Sequence, residues 1–256
     1  MNTNQDTDDN EVMAALIDYA NRSLRDSADQ DYISARAAYR HGFDQQFRWN
    51  SLQAVEKYLK AILLYNRRSA KCIRHNLREA LKRVRGIPDL DFQVPKHIEE
   101  FIEFLDDFGA DRYFSHPTHI PLRALPTLDH TVWTIRRYCF YMRQEFWTGG
   151  RVINVLDQNK RKISDGQFIK FPNRYRIANG YLEKVKEKRL PAYDSLVWKN
   201  LYFGKITKHR ITITERLSMS NPSHFLIPEH FKELKEFVDF PKDVISVLSD
   251  SKNCRK

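Results

Sequence analysis

The stretch that decides the fold is DYISARAAYRHGFDQQFRWNSLQAVEKYLKAILLYNRRSAKCIRHNLREAL, from Asp31 to Leu81. Within its centre, QAVEKYLKAILL, apolar side chains recur at the spacing that lines one face of a helix. The residues on that face are Leu52, Val55, Leu59 and Ile62. Asn76, with Glu79 three residues later, resembles the capping-box start of another helix, and Gly86 ends it. The stretch therefore predicts two amphipathic helices and the capped start of a third.

Helical periodicity continues on both sides of this stretch. The predicted helices span residues 12–24, 29–42, 44–65, 76–85, 95–108 and 127–147. The last of them has the clearest apolar stripe, with alternating spacings of four and three residues. Its members are Leu128, Val132, Ile135, Cys139, Met142 and Phe146. We expect this helix to close a bundle.

A domain boundary is predicted at Gly149 and Gly150, where the helical periodicity stops. Residues 10–148 would form the helical bundle, and residues 151–256 a smaller, basic α+β extension of unknown type. In the extension, the β-branched run from Ile211 to Ile213 predicts one or two short strands. Two small helices are predicted at residues 228–238 and 241–248, each begun by a proline. The fold class is therefore mainly α.

The charge balance indicates an anionic partner. The chain has 256 residues, with 43 Lys and Arg against 33 Asp and Glu, which gives a formal net charge of +10. Such a surplus is most often associated with nucleic acid. The motifs GxxxxGK[ST], GxGxxG, GxSxG and HExxH are absent from the sequence. Their absence excludes recognisable phosphate-loop hydrolases, dinucleotide enzymes, serine hydrolases and zincins.

Cysteines and apolar segments bear on the cellular compartment. Cys72, Cys139 and Cys254 are far apart, so neither a disulfide framework nor a zinc ribbon is expected. The N-terminus is acidic, unlike a signal peptide, and the apolar runs are too short to span a bilayer. We expect a cytoplasmic protein with no membrane association, no metal and no cofactor.

Four features together resemble the HEPN domain, a helical bundle named for higher eukaryotes and prokaryotes nucleotide binding. They are Asp31-Tyr32, the AVEKYLKA run from Ala54 to Ala61, His75-Asn76-Leu77, and Arg112-Tyr113 after an acidic helix. The resemblance covers about residues 30–145. It implies an antiparallel bundle that binds or acts on RNA or nucleotide in a prokaryotic stress, toxin–antitoxin or phage-defence setting. It also implies a homodimer, with an antitoxin or another protein as a partner.

Some HEPN proteins are metal-independent endoribonucleases with an Arg-x(4–6)-His motif from each protomer of a dimer. The histidine can relay the proton of the ribose 2′-hydroxyl group, and the arginine can stabilise charge on phosphorus. Pairs of this kind occur at Arg36/His41, Arg68/His75, Arg112/His119 and Arg123/His130. Only Arg112 follows the acidic helix, where the motif of the family lies. The candidate catalytic residues are therefore Arg112 and His119, with His116 as the alternative histidine.

This segment departs from the nuclease pattern in two ways. Tyr113 stands where nuclease members usually carry a short polar residue, and Pro117 prevents one undisturbed helix from holding both Arg112 and His119. His116 and His119 lack the carboxylate or cysteine cluster of a metal site. Two hypotheses remain, an endoribonuclease and a non-catalytic binding protein, and the sequence favours binding.

Basic residues along the fourth predicted helix are candidate phosphate contacts. The predicted nucleic-acid-binding residues are Arg74, Arg78, Lys82, Arg85, Lys57, Lys60 and His75. Arg74, Arg78, Lys82 and Arg85 form one basic stripe, for which a solvated helix face is the alternative. A structural role at a helix start is the alternative for His75. The helix at 95–108 carries an acidic face that is either solvated, repels nucleic acid or docks a basic partner. Arg136, Arg137 and Arg143, interleaved with aromatic residues, are expected to pack against the extension.

Overall fold

Helices dominate the structure, and the predicted mainly α fold class is confirmed. The computed structural model describes residues 3–111, 114–142, 145–148, 151–204 and 218–250; for residues 3–10, 145–148, 151–154 and 250 it describes the backbone alone. The described helices are α1 Thr3–Tyr19, α2 Asp26–His41, α3 Asp44–Tyr65, α4 Leu77–Arg85, α5 Lys96–Phe108, α6 Ala124–Arg136, α7 Leu156–Ser164, α8 Gly166–Lys170, α9 Tyr181–Lys188, α10 Tyr193–Val197, α11 Ser223–Leu226, α12 Phe231–Leu234 and α13 Lys242–Asp250. The described strands are β1 Thr118–Ile120, β2 Glu145–Thr148, β3 Arg151–Asn154 and β4 Ser218–Ser220.

Helix α3 lies at the centre of the bundle. It packs against α2, α4, α5 and α6. Its predicted apolar face is fully buried, and both of its predicted ends are confirmed. The predicted start of α4 is confirmed as well, since the Asn76 side chain accepts a 2.7 Å hydrogen bond from the Glu79 backbone N–H.

The first two predicted helices form one continuous helical segment. A π-helix at Ala20–Arg25 joins α1 to α2. Neither glycine nor proline occurs between residues 24 and 29, so no local signal separates the two helices. The segment ends at Gly42, which adopts a left-handed backbone conformation with φ 82°.

The predicted end of the sixth helix is wrong. Helix α6 begins at Ala124, three residues before the predicted start, and ends at Arg136 instead of continuing to residue 147. The stripe residues from Leu128 to Met142 are nevertheless buried. Periodicity therefore predicted burial correctly but did not reveal that the chain turns after Arg136. Residues 145–148 instead form β2, which pairs with β3 on the other side of Gly149 and Gly150.

Part of the extension packs against the bundle. Ile163, Leu182, Val185, Leu196 and Phe203 belong to the same buried apolar cluster as the bundle helices. A second, small cluster is formed by Phe231, Val244 and Leu248.

A short antiparallel pair connects the loop after α5 to the C-terminal part of the chain. Strand β1 pairs with β4, with His119 opposite Met219. The predicted strand at residues 211–213 lies outside the described residues. The two predicted C-terminal helices correspond to a 3-10 turn with α12, and to α13.

Candidate functional site

The loop after α5 carries the predicted catalytic residues. Arg112, together with Tyr113, lies outside the described residues, so the structure gives no geometry for the predicted Arg–His pair. Asp111 organises the segment that follows. Its carboxylate accepts hydrogen bonds from the backbone N–H groups of Ser115 at 2.8 Å and His116 at 2.9 Å. The loop is thereby folded back towards the end of α5.

His116 lies between two carboxylates. Its Nε2 is 2.7 Å from Oδ2 of Asp243 at the start of α13, and its Nδ1 is 3.5 Å from Oδ2 of Asp111. The hydrogen bond from His116 lowers the pKa of Asp243. Both ring nitrogens of His116 therefore face carboxylates of the protein. This arrangement suits a structural tie between the loop and α13.

His119 is exposed on β1, beside aromatic rings of α5. Its ring centroid is 5.6 Å from that of Phe104 and 6.0 Å from that of Phe108. Adjacent to it, the Thr118 hydroxyl group accepts a 2.7 Å hydrogen bond from Arg48. Of the two predicted histidines, His119 is the more exposed, while His116 has 34% of its side chain exposed.

Arg48 is a residue that the sequence analysis missed. It lies on α3, is only 2% exposed, and burial lowers the pKa of its guanidinium group. Its Nε and Nη2 atoms have no hydrogen-bond partner among the residues that the structure describes. The sequence does contain a signal for this position. Arg48 stands four residues before Leu52, so it places a charge on the helix face that is otherwise apolar.

Two of the four arginines and lysines in the predicted phosphate-binding stripe are held by acidic residues of α5. Arg78 bonds to Asp106 and Asp107, in each case at 2.7 Å, and these contacts raise the pKa of Arg78. Arg85 bonds to Glu99 at 2.8 Å. Three acidic residues of α5 therefore pair with cations of α4 in the same chain.

Three further predicted binding residues stabilise the junction of α2, α3 and α4. Lys57 bonds to Asp31 at 2.5 Å and to Ser27 at 2.9 Å. Lys60 bonds to Glu56. His75 lies 2.8 Å from the same Glu56 carboxylate, and its ring is 5.4 Å from that of Trp49. These contacts support the structural interpretation of His75.

Four arginines and lysines that take no part in these contacts define an exposed basic surface. Arg68, Lys71 and Arg74 lie on the connection between α3 and α4, and Lys82 lies on the outer side of α4. We call these four residues the α3–α4 basic surface. Within the described part of the chain, none of their side chains forms an ion pair. Their charge is available to an anionic ligand.

Buried ion pairs connect the bundle to the extension. Arg136 of α6 bonds to Asp29 at 2.7 Å and to Glu183 at 2.7 Å, and Tyr58 donates a 2.6 Å hydrogen bond to Asp29. Burial disfavours the ionised form of Glu183, but Arg136 outweighs it and lowers the pKa of Glu183 to about 2. A cluster of this kind fixes the orientation of α6 against α2 and α9.

A second buried cluster also pairs an arginine with a carboxylate of another helix. Arg36 of α2 pairs with Asp129 of α6, and the Tyr32 hydroxyl group donates a 2.6 Å hydrogen bond to the same carboxylate. Arg36 also donates a 3.0 Å hydrogen bond to the carbonyl oxygen of Ser195. Tyr32, Lys57 and Tyr58, which contributed to the family resemblance, are therefore residues that hold the bundle together.

Two findings bear on metals and membranes. Among the described residues, no group of three or more His, Cys, Asp or Glu side chains is placed to hold a metal ion. In the same part of the chain, every helix is too short or too polar to cross a membrane.

Residues 22–115 match the family model of the HEPN domain. This segment is therefore an HEPN domain, which confirms the predicted family and indicates a nucleotide- or RNA-related function in general. The match includes Arg112 and ends before His116 and His119. No curated protein and no solved structure matches the chain.

Proposed function

We propose that the protein binds RNA or a nucleotide without cleaving it. The observation that carries this proposal is the α3–α4 basic surface, where Arg68, Lys71, Arg74 and Lys82 are exposed within the HEPN domain. Cations that release counterions from phosphates provide affinity without reading the base sequence. The chain-wide surplus of positive charge attracts the same class of ligand.

The state of the predicted catalytic loop supports binding over cleavage. His116 is held between Asp111 and Asp243. A general base needs a ring nitrogen within reach of the proton that it abstracts. Binding through the basic surface requires nothing of this loop.

Charge reversal tests the proposal. The Arg74→Glu/Lys82→Glu variant should bind single-stranded RNA at least ~10-fold more weakly than the wild type at moderate salt, because two phosphate contacts are replaced by repulsion. Fluorescence anisotropy with a labelled oligonucleotide measures the change. The control is Lys232→Glu/Lys235→Glu, which makes the same change in net charge on two exposed residues, one in α12 and one directly after it. Equal loss of affinity in both variants would contradict the proposed surface.

An endoribonuclease is the second candidate. One observation favours it: His116 and Asp243 form a hydrogen-bonded histidine–carboxylate pair, an arrangement that orients a catalytic imidazole in other sites. In this alternative Arg112 and His119, or His116, would form a composite site across a homodimer.

We further propose a prokaryotic stress, toxin–antitoxin or phage-defence setting, with an antitoxin or another protein as the partner of the HEPN domain.

A further inference from the structure

A polar cleft lies between the π-helix and the extension, on a part of the molecule that the predicted sites do not include. Its volume is about 490 Å³. Asn21 and Arg25 of the π-helix line one wall, and Lys162, Arg176 and Lys184 of the extension line the other. A volume of this size lies within the range of small-molecule sites and is sufficient for one nucleotide.

The cleft has an excess of positive charge. Five cationic side chains line it against two carboxylates, Asp18 and Asp26. Those carboxylates are already paired, Asp18 with Arg22 at 2.9 Å and Asp26 with Arg25 at 3.0 Å. In the described part of the chain, no carboxylate pairs with the three cations of the extension. Their positive charge therefore faces the cleft without a counterion from the protein.

One group on each wall of the cleft is positioned by contacts with its surroundings. The Lys162 ammonium group lies 5.3 Å from the centre of the Tyr175 ring and 3.3 Å from the backbone carbonyl oxygen of Arg176. On the other wall, Asn21 accepts a 2.6 Å hydrogen bond from Tyr65, so its amide oxygen is used and its NH₂ group remains for a ligand. π-Helices are rare and frequently occur at functional sites.

Tyr141 connects the cleft to the α3–α4 basic surface. It lines the cleft and also an adjoining cavity of about 290 Å³. Arg68, a member of the basic surface, lines that second cavity. A strand of RNA that lies on the basic surface can therefore reach the cleft past an aromatic ring, which is a suitable platform for a base.

We propose that this cleft binds a ribonucleoside 5′-phosphate. The phosphate group contacts Lys162, Arg176 and Lys184, and the base packs against Tyr141. This inference rests on the proposed function and deepens it, because it names the ligand and its site. The same chemical group occurs in a free mononucleotide and at the 5′-phosphorylated end of an RNA strand.

Calorimetric titration with AMP and with inorganic pyrophosphate tests the cleft. The Lys162→Glu/Lys184→Glu variant should bind both ligands at least ~10-fold more weakly than the wild type, because hydrogen bonds between charged partners are lost. The Tyr141→Leu variant should weaken AMP and leave pyrophosphate unchanged, since only AMP carries a base. The matched control is Arg161→Glu/Lys188→Glu, which changes exposed residues of the same two helices outside the cleft lining. This control should retain the affinity of the wild type.

Two RNA oligonucleotides, one with a 5′-phosphate and one with a 5′-hydroxyl group, distinguish the source of the ligand. AMP binding that depends on Lys162 and Lys184 identifies a free nucleotide as an occupant. Tighter binding of the phosphorylated oligonucleotide, lost in the same variant, identifies an RNA end. If neither dependence is seen while both oligonucleotides still bind through the α3–α4 basic surface, the cleft proposal is overturned and the proposed function stands. If the wild type binds no RNA and no AMP, both fail.

Discussion

At the scale of single residues, the two candidate catalytic histidines, His116 and His119, differ in their surroundings. His116 is held by Asp243 and Asp111, whereas His119 is exposed beside two phenylalanine rings. His119 is the more exposed candidate for a proton relay, and His116 is the candidate that a carboxylate orients. The family motif requires Arg112 as its partner.

We expect the folded wild type to leave single-stranded RNA intact in the presence of a chelator. The measurement is a gel assay of labelled RNA over several hours. If cleavage is found instead, His119→Ala and Arg112→Ala should each slow it by at least ~100-fold, the scale of a lost proton relay or charge-stabilising donor. His41→Ala and His130→Ala serve as controls and should be much milder. Cleavage that survives each of the Arg112→Ala, His116→Ala and His119→Ala substitutions would exclude the predicted site.

The roles of individual residues were only partly predictable from the sequence. Tyr32, Lys57 and Tyr58 are part of the family resemblance, but the sequence does not show what they contact. The structure pairs them with Asp129, Asp31 and Asp29, respectively. Tyr32 and Asp129 are 97 residues apart in the chain, so no local pattern could pair them. Arg36 belongs to the Arg36/His41 pair of the motif search, and the structure places it in the buried core.

At the scale of elements, the basic stripe of α4 and the acidic face of α5 partly neutralise each other. The sequence predicted a basic stripe on α4 and an acidic face on α5, and both exist. The structure brings them together through Arg78 with Asp106 and Asp107, and through Arg85 with Glu99. Charge patterns define which faces are charged, and only the packing of helices determines which of those charges remain exposed.

The orientation of α6 depends on the ion pairs of Arg136. The Arg136→Met variant should lower the free energy of unfolding by about 3–5 kcal/mol, because Asp29 and Glu183 would remain buried without their cation. Chemical denaturation measures the loss. Arg22→Met is the control, since Arg22 pairs with Asp18 on the surface and its loss should leave the unfolding midpoint unchanged. An equal effect of the two substitutions would contradict the structural role of the buried cluster.

The error in α6 has a physical origin. The stripe from Leu128 to Met142 is buried as expected, but helical hydrogen bonding ends at Arg136. Turns closed by hydrogen bonds between residues three apart keep the following side chains buried without a helix. One such bond runs from the Cys139 N–H to the Arg136 carbonyl oxygen at 2.9 Å. The Gly149-Gly150 pair is a hairpin signal between β2 and β3. The end of helical periodicity at the same pair predicts a domain boundary, which does not reveal the hairpin.

At the scale of the whole molecule, the stability of the protein should depend on pH through His130. Burial, together with His97 and Arg137, lowers the pKa of His130 from 6.5 to about 4. Between these values the unfolded chain binds a proton that the folded chain excludes. The free energy of unfolding is therefore highest above pH 6.5 and falls as the pH decreases towards 4.

The size of this effect can be measured by thermal unfolding between pH 7 and pH 5. We expect a loss of about 1 kcal/mol from this residue, after allowance for its partial exposure. His130→Phe retains a ring opposite Tyr202 and should reduce the slope. Glu183 does not interfere, because its contribution is lost only as the pH falls from 4.5 towards 2. An unchanged slope in the variant would contradict the assignment to His130.

We also expect a homodimer, as the HEPN resemblance implies. Light scattering at micromolar concentration should give twice the chain mass of 30.5 kDa. A monomer at all concentrations would exclude the composite nuclease site and leave the binding proposal unaffected.

The salt dependence of RNA binding tests the central claim most directly. Titrations of one labelled single-stranded RNA at several salt concentrations give the slope of log affinity against log salt. The wild type should show a steep negative slope, and Arg74→Glu/Lys82→Glu should reduce its magnitude by about one to two units, since roughly that many phosphate contacts are lost. The same slope in the wild type, in this variant and in Lys232→Glu/Lys235→Glu would contradict RNA binding by the α3–α4 basic surface.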